Sequence, residues 1–373
     1  MSEILGASLS YHRHMNVSFA RAASRVALPA YASLKTVAIA LLGAGLALWI
    51  KLPLPWFTGP LIVVAGVSMS GVRLRRMPYA REAGQWIIGF ALGLYFTPEI
   101  VRLVVRLAPW IVIAVVFVML LGLAGAWVLK RLSNETSTTC FFAAAIGGAA
   151  EMANQAERHG ARVDRVVAAH SLRIMVVALV VPFALQSWGV QGSDPYTPAA
   201  SSFDLAGFAV LVAATGGGAA VLTRYDVPNA FMLGPLLTTA AITAGGFAWS
   251  SMPTPVVNVG QLLIGIALGT RFAPEFFRAA PRYLAAVALI TVGYLAASAI
   301  FGLWLAQMAG LATATSVLAT TPGGIGEMAI TAKVLKVGAP IVTAFHSIRL
   351  AFVVLIIGAL FRGLRWIQRK ERA

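Results

Sequence analysis

Apolar residues run along this chain in twelve stretches, at 36–50, 54–72, 84–96, 107–129, 138–153, 166–190, 203–223, 230–251, 255–270, 283–306, 311–332 and 339–361. Several reach the roughly 17–25 residues that a helix needs to cross the hydrocarbon core of a bilayer. They are built from Ala, Leu, Gly and Val without alternation of apolar and polar positions, which predicts helices rather than the strands of a transmembrane barrel. The expected class is therefore an all-α polytopic membrane protein, with the lipid bilayer as its surroundings.

Composition sharpens this reading. Hydrophobic residues make up 59% of the 373 and charged residues only 11%, against about a quarter charged in soluble chains. The formal charge of +16 raises the question of nucleic acid. The cations, however, sit between and beside the apolar runs, where Lys and Arg fix orientation by staying on the cytoplasmic side. No direct nucleic-acid partner is expected. Cys140 is the only cysteine, so there is no internal disulfide and no CxxC metal or redox site. Residues 1–33 are poor in acids and lack the long apolar core and small-residue cleavage site of a signal peptide. They read as a cytoplasmic tail, in which His12 and His14 are solvated rather than a metal pair.

The chain repeats itself. The stretch 321–352, TPGGIGEMAITAKVLKVGAPIVTAFHSIRLAF, matches 145–176, AIGGAAEMANQAERHGARVDRVVAAHSLRIMV. Gly147, Gly148, Glu151, Met152, His170, Ser171 and Arg173 become Gly323, Gly324, Glu327, Met328, His346, Ser347 and Arg349, each 176 residues later. The register extends upstream to Gln85 and Gln261, Gly89 and Gly265, and the Pro-Glu pairs that begin at 98 and 274. A Gly-Pro-Leu element at 59–61 recurs at 234–236. Two homologous membrane repeats are expected, 34–187 and 203–362, joined by a polar linker at 188–202 and followed by a basic cytoplasmic tail at 363–373.

The matching loops differ in charge. The loop holding Arg73, Arg75, Arg76 and Arg81 has no cation in its counterpart around Met252, and Lys130 and Arg131 become Ala306 and Gln307. Such loss of cations is what inversion of one repeat predicts. Inversion needs an odd number of crossings per repeat, yet each repeat has six apolar runs. One run per repeat must then not cross, and the double-glycine runs are the best candidates because too few apolar residues flank each glycine pair. About ten spanning helices plus two re-entrant segments, 138–157 and 313–333, are expected, with fully crossing broken helices as the alternative. With both termini inside, every Lys and Arg falls on the inner side except Lys51, Arg102, Arg106, Lys333 and Lys336, and Arg173 and Arg349 within helices.

Unwound backbone at membrane depth persists only where protein buries it or water reaches it. Gly147-Gly148 and Pro322-Gly323-Gly324 suit a helix break. A half-helix restarting after each break aims free N–H groups at a cavity, as in many secondary transporters. Glu151 and Glu327 lie in the first turn after the breaks. His170 and Arg173, like His346 and Arg349, are three apart and share a helix face. The expectation is that each glutamate pairs with Arg173 or Arg349 and that a ligand or proton remakes the pair. The plainer reading makes these structural ion pairs, with each histidine bonded to a backbone carbonyl. The Gly-Pro-Leu elements, near Thr58 and Asn229, either break a second helix pair or mark helix starts. Glu99 and Glu275, with arginines at i+3, read as interfacial helix pairs.

The repeated GGxxEM followed by HSxR, together with the 176-residue register, resembles the bacterial AbrB-duplication membrane family over nearly the whole chain after the tail. The resemblance implies a bacterial inner-membrane location. Proteins of this kind carry labels that disagree, from regulator of gene expression to ammonia monooxygenase. The residues weigh against a monooxygenase, because His159, His170 and His346 are scattered and no redox metal set gathers. They also lack any globular polar stretch for a DNA-binding domain. No catalytic residue, metal or cofactor is expected. The leading expectation is a secondary transporter of a small solute or ion, favouring an anion at the helix N-termini and arginines and a cation or proton at the glutamates. A membrane sensor acting indirectly on gene expression is the alternative, and a channel the third. The sequence is silent on oligomeric state.

Overall fold

The computed structural model describes residues 30–370 apart from 73, 191–195, 273 and 275–279. The expected N-terminal tail, with His12 and His14, lies outside the described residues save for 30–33, and so does Glu275. Among the described residues every regular element is a helix. The first part of the chain forms α1 (Ala30–Trp49), α2 (Pro55–Met69), α3 (Ala80–Gly93), α4 (Pro98–Arg106) and α5 (Ala108–Leu132). Two short helices follow, α6 (Ser137–Ala144) and α7 (Ala149–Arg158), and then the long α8 (Val163–Ser187). Beyond the linker come α9 (Leu205–Arg224), α10 (Ala230–Ala244), α11 (Thr254–Gly269) and α12 (Pro281–Ala309). The short α13 (Thr313–Thr320) and α14 (Ile325–Val334) precede α15 (Ala339–Lys370).

Five of these, α5, α8, α9, α12 and α15 over Ala339–Gly363, are long and apolar enough to cross a membrane, and α3 with α4 makes a sixth if a pair bent by 94° counts as one span. Residues 33–49 of α1 and helices α2, α10 and α11 are apolar but shorter. At 1.5 Å per residue a 15-residue helix covers about 22 Å, less than the roughly 30 Å of hydrocarbon. Five or six spans by length thus stand where the apolar runs suggested about ten. The difference arises at run ends: the run 54–72 begins in a left-handed Leu54 before Pro55 and closes on Gly71 at φ +90°, so its helix is shorter than its apolar stretch.

The outer surface is apolar, as a bilayer requires. Leu355 is 78% exposed, Leu42 72% and Ile300 69%, exposures that in water would form a large aggregating patch. Inside, the main core joins distant parts of the chain. Phe57 and Leu61 of α2, Ile88 and Leu92 of α3, Met232 of α10 and Ile264 of α11 pack with Leu318 of α13 and Met328 of α14. Glycines allow the closest crossings. A Cβ at Gly89 of α3 would strike the Met232 carbonyl of α10, and one at Gly265 of α11 would come 2.8 Å from the Phe57 carbonyl of α2.

The Gly-Pro-Leu elements do not break a helix pair: Pro60 and Pro235 lie inside α2 and α10. Each proline lies past the first four amides of its helix and so removes one intrahelical donor, and the Thr58 hydroxyl donates to the carbonyls of Pro53 (2.7 Å) and Leu54 (3.1 Å). The Glu99–Arg102 pair forms at 3.1 Å on the exposed face of α4, where such pairs contribute little. The basic segment from 363 begins within α15, which runs to Lys370.

Because both crossings oppose backbone to backbone, Gly265→Val should destabilise the protein by about 1–3 kcal/mol through overpacking, whereas Gly293→Val, with open space at its Cβ, should not. Thermal unfolding of the purified pair in detergent checks this.

Candidate functional site

The two double-glycine segments are hairpins. After α7 the Arg162 amide donates to Thr139 Oγ1 at the start of α6 (3.1 Å). After α14, Gly338 packs on Thr315 at the start of α13, its absent Cβ leaving room for that side chain. A broken helix crossing the bilayer would instead hold those ends roughly 27 Å apart. The hairpins come from opposite ends of α8. The base of the first adjoins its beginning at Val163. The base of the second places Val334, Leu335 and Lys336 around a cavity of about 370 Å³ shared with Gln186 and Val190 at its far end. The tips meet in between, where Gly147, Gly148, Pro322, Gly323 and Gly324 line one cavity of about 60 Å³ with Arg173, Arg349 and Glu327.

The spacing in GGxxEM has a steric cause. Gly148 and Gly324 are in the ordinary extended region, φ −66° and −76°, so neither is required for backbone freedom. Space is what Gly147, Gly323 and Gly324 supply. A Cβ on the first glycine of each pair would crowd a methionine: Met152 Cε lies 3.1 Å from that position at Gly147, and Met328 Cγ 2.6 Å from it at Gly323. Both methionines fold back from the restarted helix and are fully buried. The second glycine of the later copy makes room for Glu327, whose carboxylate lies against Gly324. Pro322 and the extended Thr321 before it (ψ 140°) end α13.

At each break, one face of a neighbouring helix supplies donors to carbonyl groups that lack the i+4 amide of a continuing helix. His170 Nε2 lies 2.9 Å from the Phe142 carbonyl and His346 Nε2 2.9 Å from that of Leu318. Arg173 Nη2 and Arg349 Nη2 approach the Nδ1 of their own histidines at 2.9 and 2.8 Å. Arginine can only donate, so each Nδ1 accepts and each ring carries its proton on Nε2, donating to the carbonyl. The arginines complete the clamp unequally. Arg349 donates to the carbonyls of Thr321 (2.8 Å) and Gly323 (2.7 Å). Arg173 reaches only that of Ala144, at 3.4 Å, which also accepts from Tyr294 at 3.0 Å.

Arg81 and Ala149 line the tip cavity and also a second cavity of about 360 Å³, whose wall includes Arg76, Arg271, Ala150, Asp164 and Ser171. Burial, then the charges of Arg81 and Arg76, brings the Arg271 guanidinium in the turn after α11 down to about 10. Among the described residues no three His, Cys, Asp or Glu stand close enough to hold a metal ion.

Comparison with known proteins fixes the family. The family described as "Transition state regulatory protein AbrB" matches residues 56–365. The chain belongs to the AbrB family. Its relatives include "Putative regulator AbrB" of Escherichia coli (strain K12), 29% identical over 331 residues that cover 87% of this chain and 94% of that protein. Another is "Uncharacterized protein YhjN" of Bacillus subtilis (strain 168), 25% identical over 350 residues, covering 85% of this chain and 89% of that one. No solved structure matches the chain. It is thus a multi-pass membrane protein with bacterial homologues.

In this AbrB chain eight of the expected site residues, Gly147, Gly148, Arg173, Pro322, Gly323, Gly324, Glu327 and Arg349, line the tip cavity. His170 and His346 stand behind it as fully buried supports. Glu151 is turned away, accepting a hydrogen bond from Gln155 at 3.1 Å. The expected Glu–Arg pairs are not formed; the guanidinium groups donate instead to carbonyl oxygens at the breaks and to the neighbouring histidines. The plainer reading of the histidines is the observed one. Arg81, Gln85 and Asn229 also line the cavity; the matched Gln85 and Gln261 were a usable signal, while Arg81 had read only as an orienting charge.

Lysine cannot reproduce the planar fork. Arg349→Lys should therefore lower stability by about 1.5–3 kcal/mol for each charged hydrogen bond lost, and Arg173→Lys by less. Paired denaturation curves test the order; equal losses would show that the unequal clamp has no energetic meaning.

Proposed function

We propose that this protein is a secondary transporter of a small solute or ion in the bacterial inner membrane, working by alternating access between two inverted repeats. One observation carries the reading: two hairpins from opposite ends of α8 bring their tips into one cavity with Arg173, Arg349 and Glu327. Broken segments that meet midway, with helix N-termini facing a shared cavity, are how many transporters form a site that two sides reach in turn. The 176-residue register supports the duplication, because hydrogen bonds recur within it: His170 to Phe142 and His346 to Leu318 span the same number of residues. The four shorter apolar helices would complete about ten crossings. The cation-rich end, with Arg76, Arg81 and Arg271, is the cytoplasmic one on this reading, and both termini lie there.

Glu327 is the cavity's carboxylate and the group assigned to ligand or proton exchange. In proteoliposomes offered labelled inorganic phosphate, citrate and ammonium, Glu327→Gln should abolish the flux of the probe that the unaltered protein moves, with insertion intact. Full flux through that variant would remove the role. Inversion has its own test. With Cys140 replaced, single cysteines at Arg76 and Met252 should label from opposite sides of intact cells; labelling from one side would make the repeats parallel.

The name of the Escherichia coli relative supports a second reading, a membrane sensor that binds in the same cavity without moving its ligand and acts on gene expression indirectly. Saturable binding with no flux would favour it. Neither reading assigns enzyme chemistry to the chain.

A further inference from the structure

Three arginines from separate parts of the chain converge beside the hairpin tips, and among the described residues none of them forms an ion pair. Arg76 comes from the loop after α2, Arg81 from the first turn of α3 and Arg271 from the turn after α11, and all three line the 360 Å³ cavity. Asp164 is the acid on that wall, and it is already engaged by Arg162 at 3.0 Å and Arg165 at 3.8 Å. Among the described residues none of the three arginines has a carboxylate within ion-pair distance. Glu327 and Glu82 act on Arg271 more weakly than the two neighbouring arginines do. Like charges gathered against low-dielectric walls repel one another and focus a positive field into the space between them. A cavity of this size is within the roughly 300–1,000 Å³ typical of small-molecule sites.

The rest of the wall suits the same kind of ligand. Ala149 and Ala150 open α7, whose N-cap is Gly148 with no side-chain cap, so the first amides of that helix have no side-chain acceptor there. Ser171 lines the same wall. Arg81 and Ala149 belong to both cavities, so a ligand held here already touches the lining of the tip cavity, where Arg173 and Arg349 add two further guanidinium groups.

We propose that the cavity walled by Arg76, Arg81 and Arg271 is the receiving site for a soluble oxyanion, a small solute carrying carboxylate or phosphate, on its way to the hairpin tips. Guanidinium forks match the paired oxygens of such groups. This names the substrate class of the proposed transporter and rests on that reading only for the onward passage.

The test uses the full chain in an uncharged detergent at constant ionic strength, read by thermal unfolding and by equilibrium binding of labelled citrate and inorganic phosphate. Citrate or phosphate should raise Tm saturably and choline should not. Arg81→Gln and Arg271→Gln should each weaken binding at least tenfold, while Arg106→Gln, on the exposed face of α4, should leave it unchanged. If the half-buried Arg271 variant fails to fold, Arg76→Gln, at an exposed position, should still weaken binding severalfold. Equal stabilisation by choline, or binding insensitive to all three arginines, would overturn the proposal. So would a headgroup-only result, in which phosphatidylglycerol nanodiscs stabilise the protein through these arginines and neither soluble anion competes. Arginine-dependent binding in a protein that shows no flux would uphold the oxyanion site and remove transport, so the two ideas fail separately.

Discussion

Carbonyl oxygens exposed where a helix stops inside an apolar bundle must find donors, and this constraint organises the centre of the molecule. Ending α6 at Ala144 and α13 at Thr320 frees backbone groups far from bulk water, and an unpaired buried carbonyl costs roughly 1–3 kcal/mol. A histidine and an arginine one turn apart answer this on α8 and again on α15, with the ring donating to one carbonyl and the guanidinium donating to the ring and to others. The arrangement is cooperative in form, since each arginine fixes the tautomer that lets its histidine donate. Polar residues that look expensive in the sequence are thus what permits a double hairpin to exist, and the tip cavity is the space left between two such clamps.

The remaining packing serves to bring the hairpins together. Glycines at the α2–α11 and α3–α10 crossings let backbones approach to contact, the usual means of association where lipid removes the hydrophobic drive between helices. Those crossings interleave helices from the first and second parts of the chain, so neither part forms its core alone. The consequence at the site is that Arg81 of α3 and Asn229 beside α10 reach the same cavity as the glycines at 147, 148, 323 and 324.

Much of this was legible from residue order, and the failures have physical causes. The breaks, the half-helices after them and the shared cavity follow from a double glycine inside an apolar run too short to cross on either side. Helix lengths did not follow, because an apolar residue such as Leu54 scores the same in a left-handed turn as in a helix. The glutamate partners were misread for a related reason: charge pairing is visible in a sequence, whereas the demand of orphaned carbonyls appears only once the break is located. The glycines were read for conformational freedom, yet their backbone is ordinary and the need is for room beside Met152, Met328 and Glu327. Arg76, Arg81 and Arg271 are spread over three loops, and nothing in their order shows that they meet.

The two copies of the motif share their hydrogen-bond plan but not its tightness, and the inequality has a direction. Around α15 the clamp is short and closed, with Arg349 on two carbonyls and the Glu327 carboxylate drawn up to the tip. Around α8 it is loose: Arg173 touches one carbonyl at 3.4 Å, Tyr294 supplies the better bond to it, and Glu151 faces Gln155 instead of the cavity. The loose copy is the one whose restarted helix opens onto the arginine-lined vestibule. On the transport reading, two sites built to one plan and held at different tightness would form a bistable pair in which one side closes as the other opens. On the transport reading, the conformation described has the side of Arg76, Arg81 and Arg271 open and the side of Lys336 shut at the tip. The opposite state would exchange the two patterns, with Arg173 drawn onto its carbonyls and Glu151 brought to the cavity in place of Glu327.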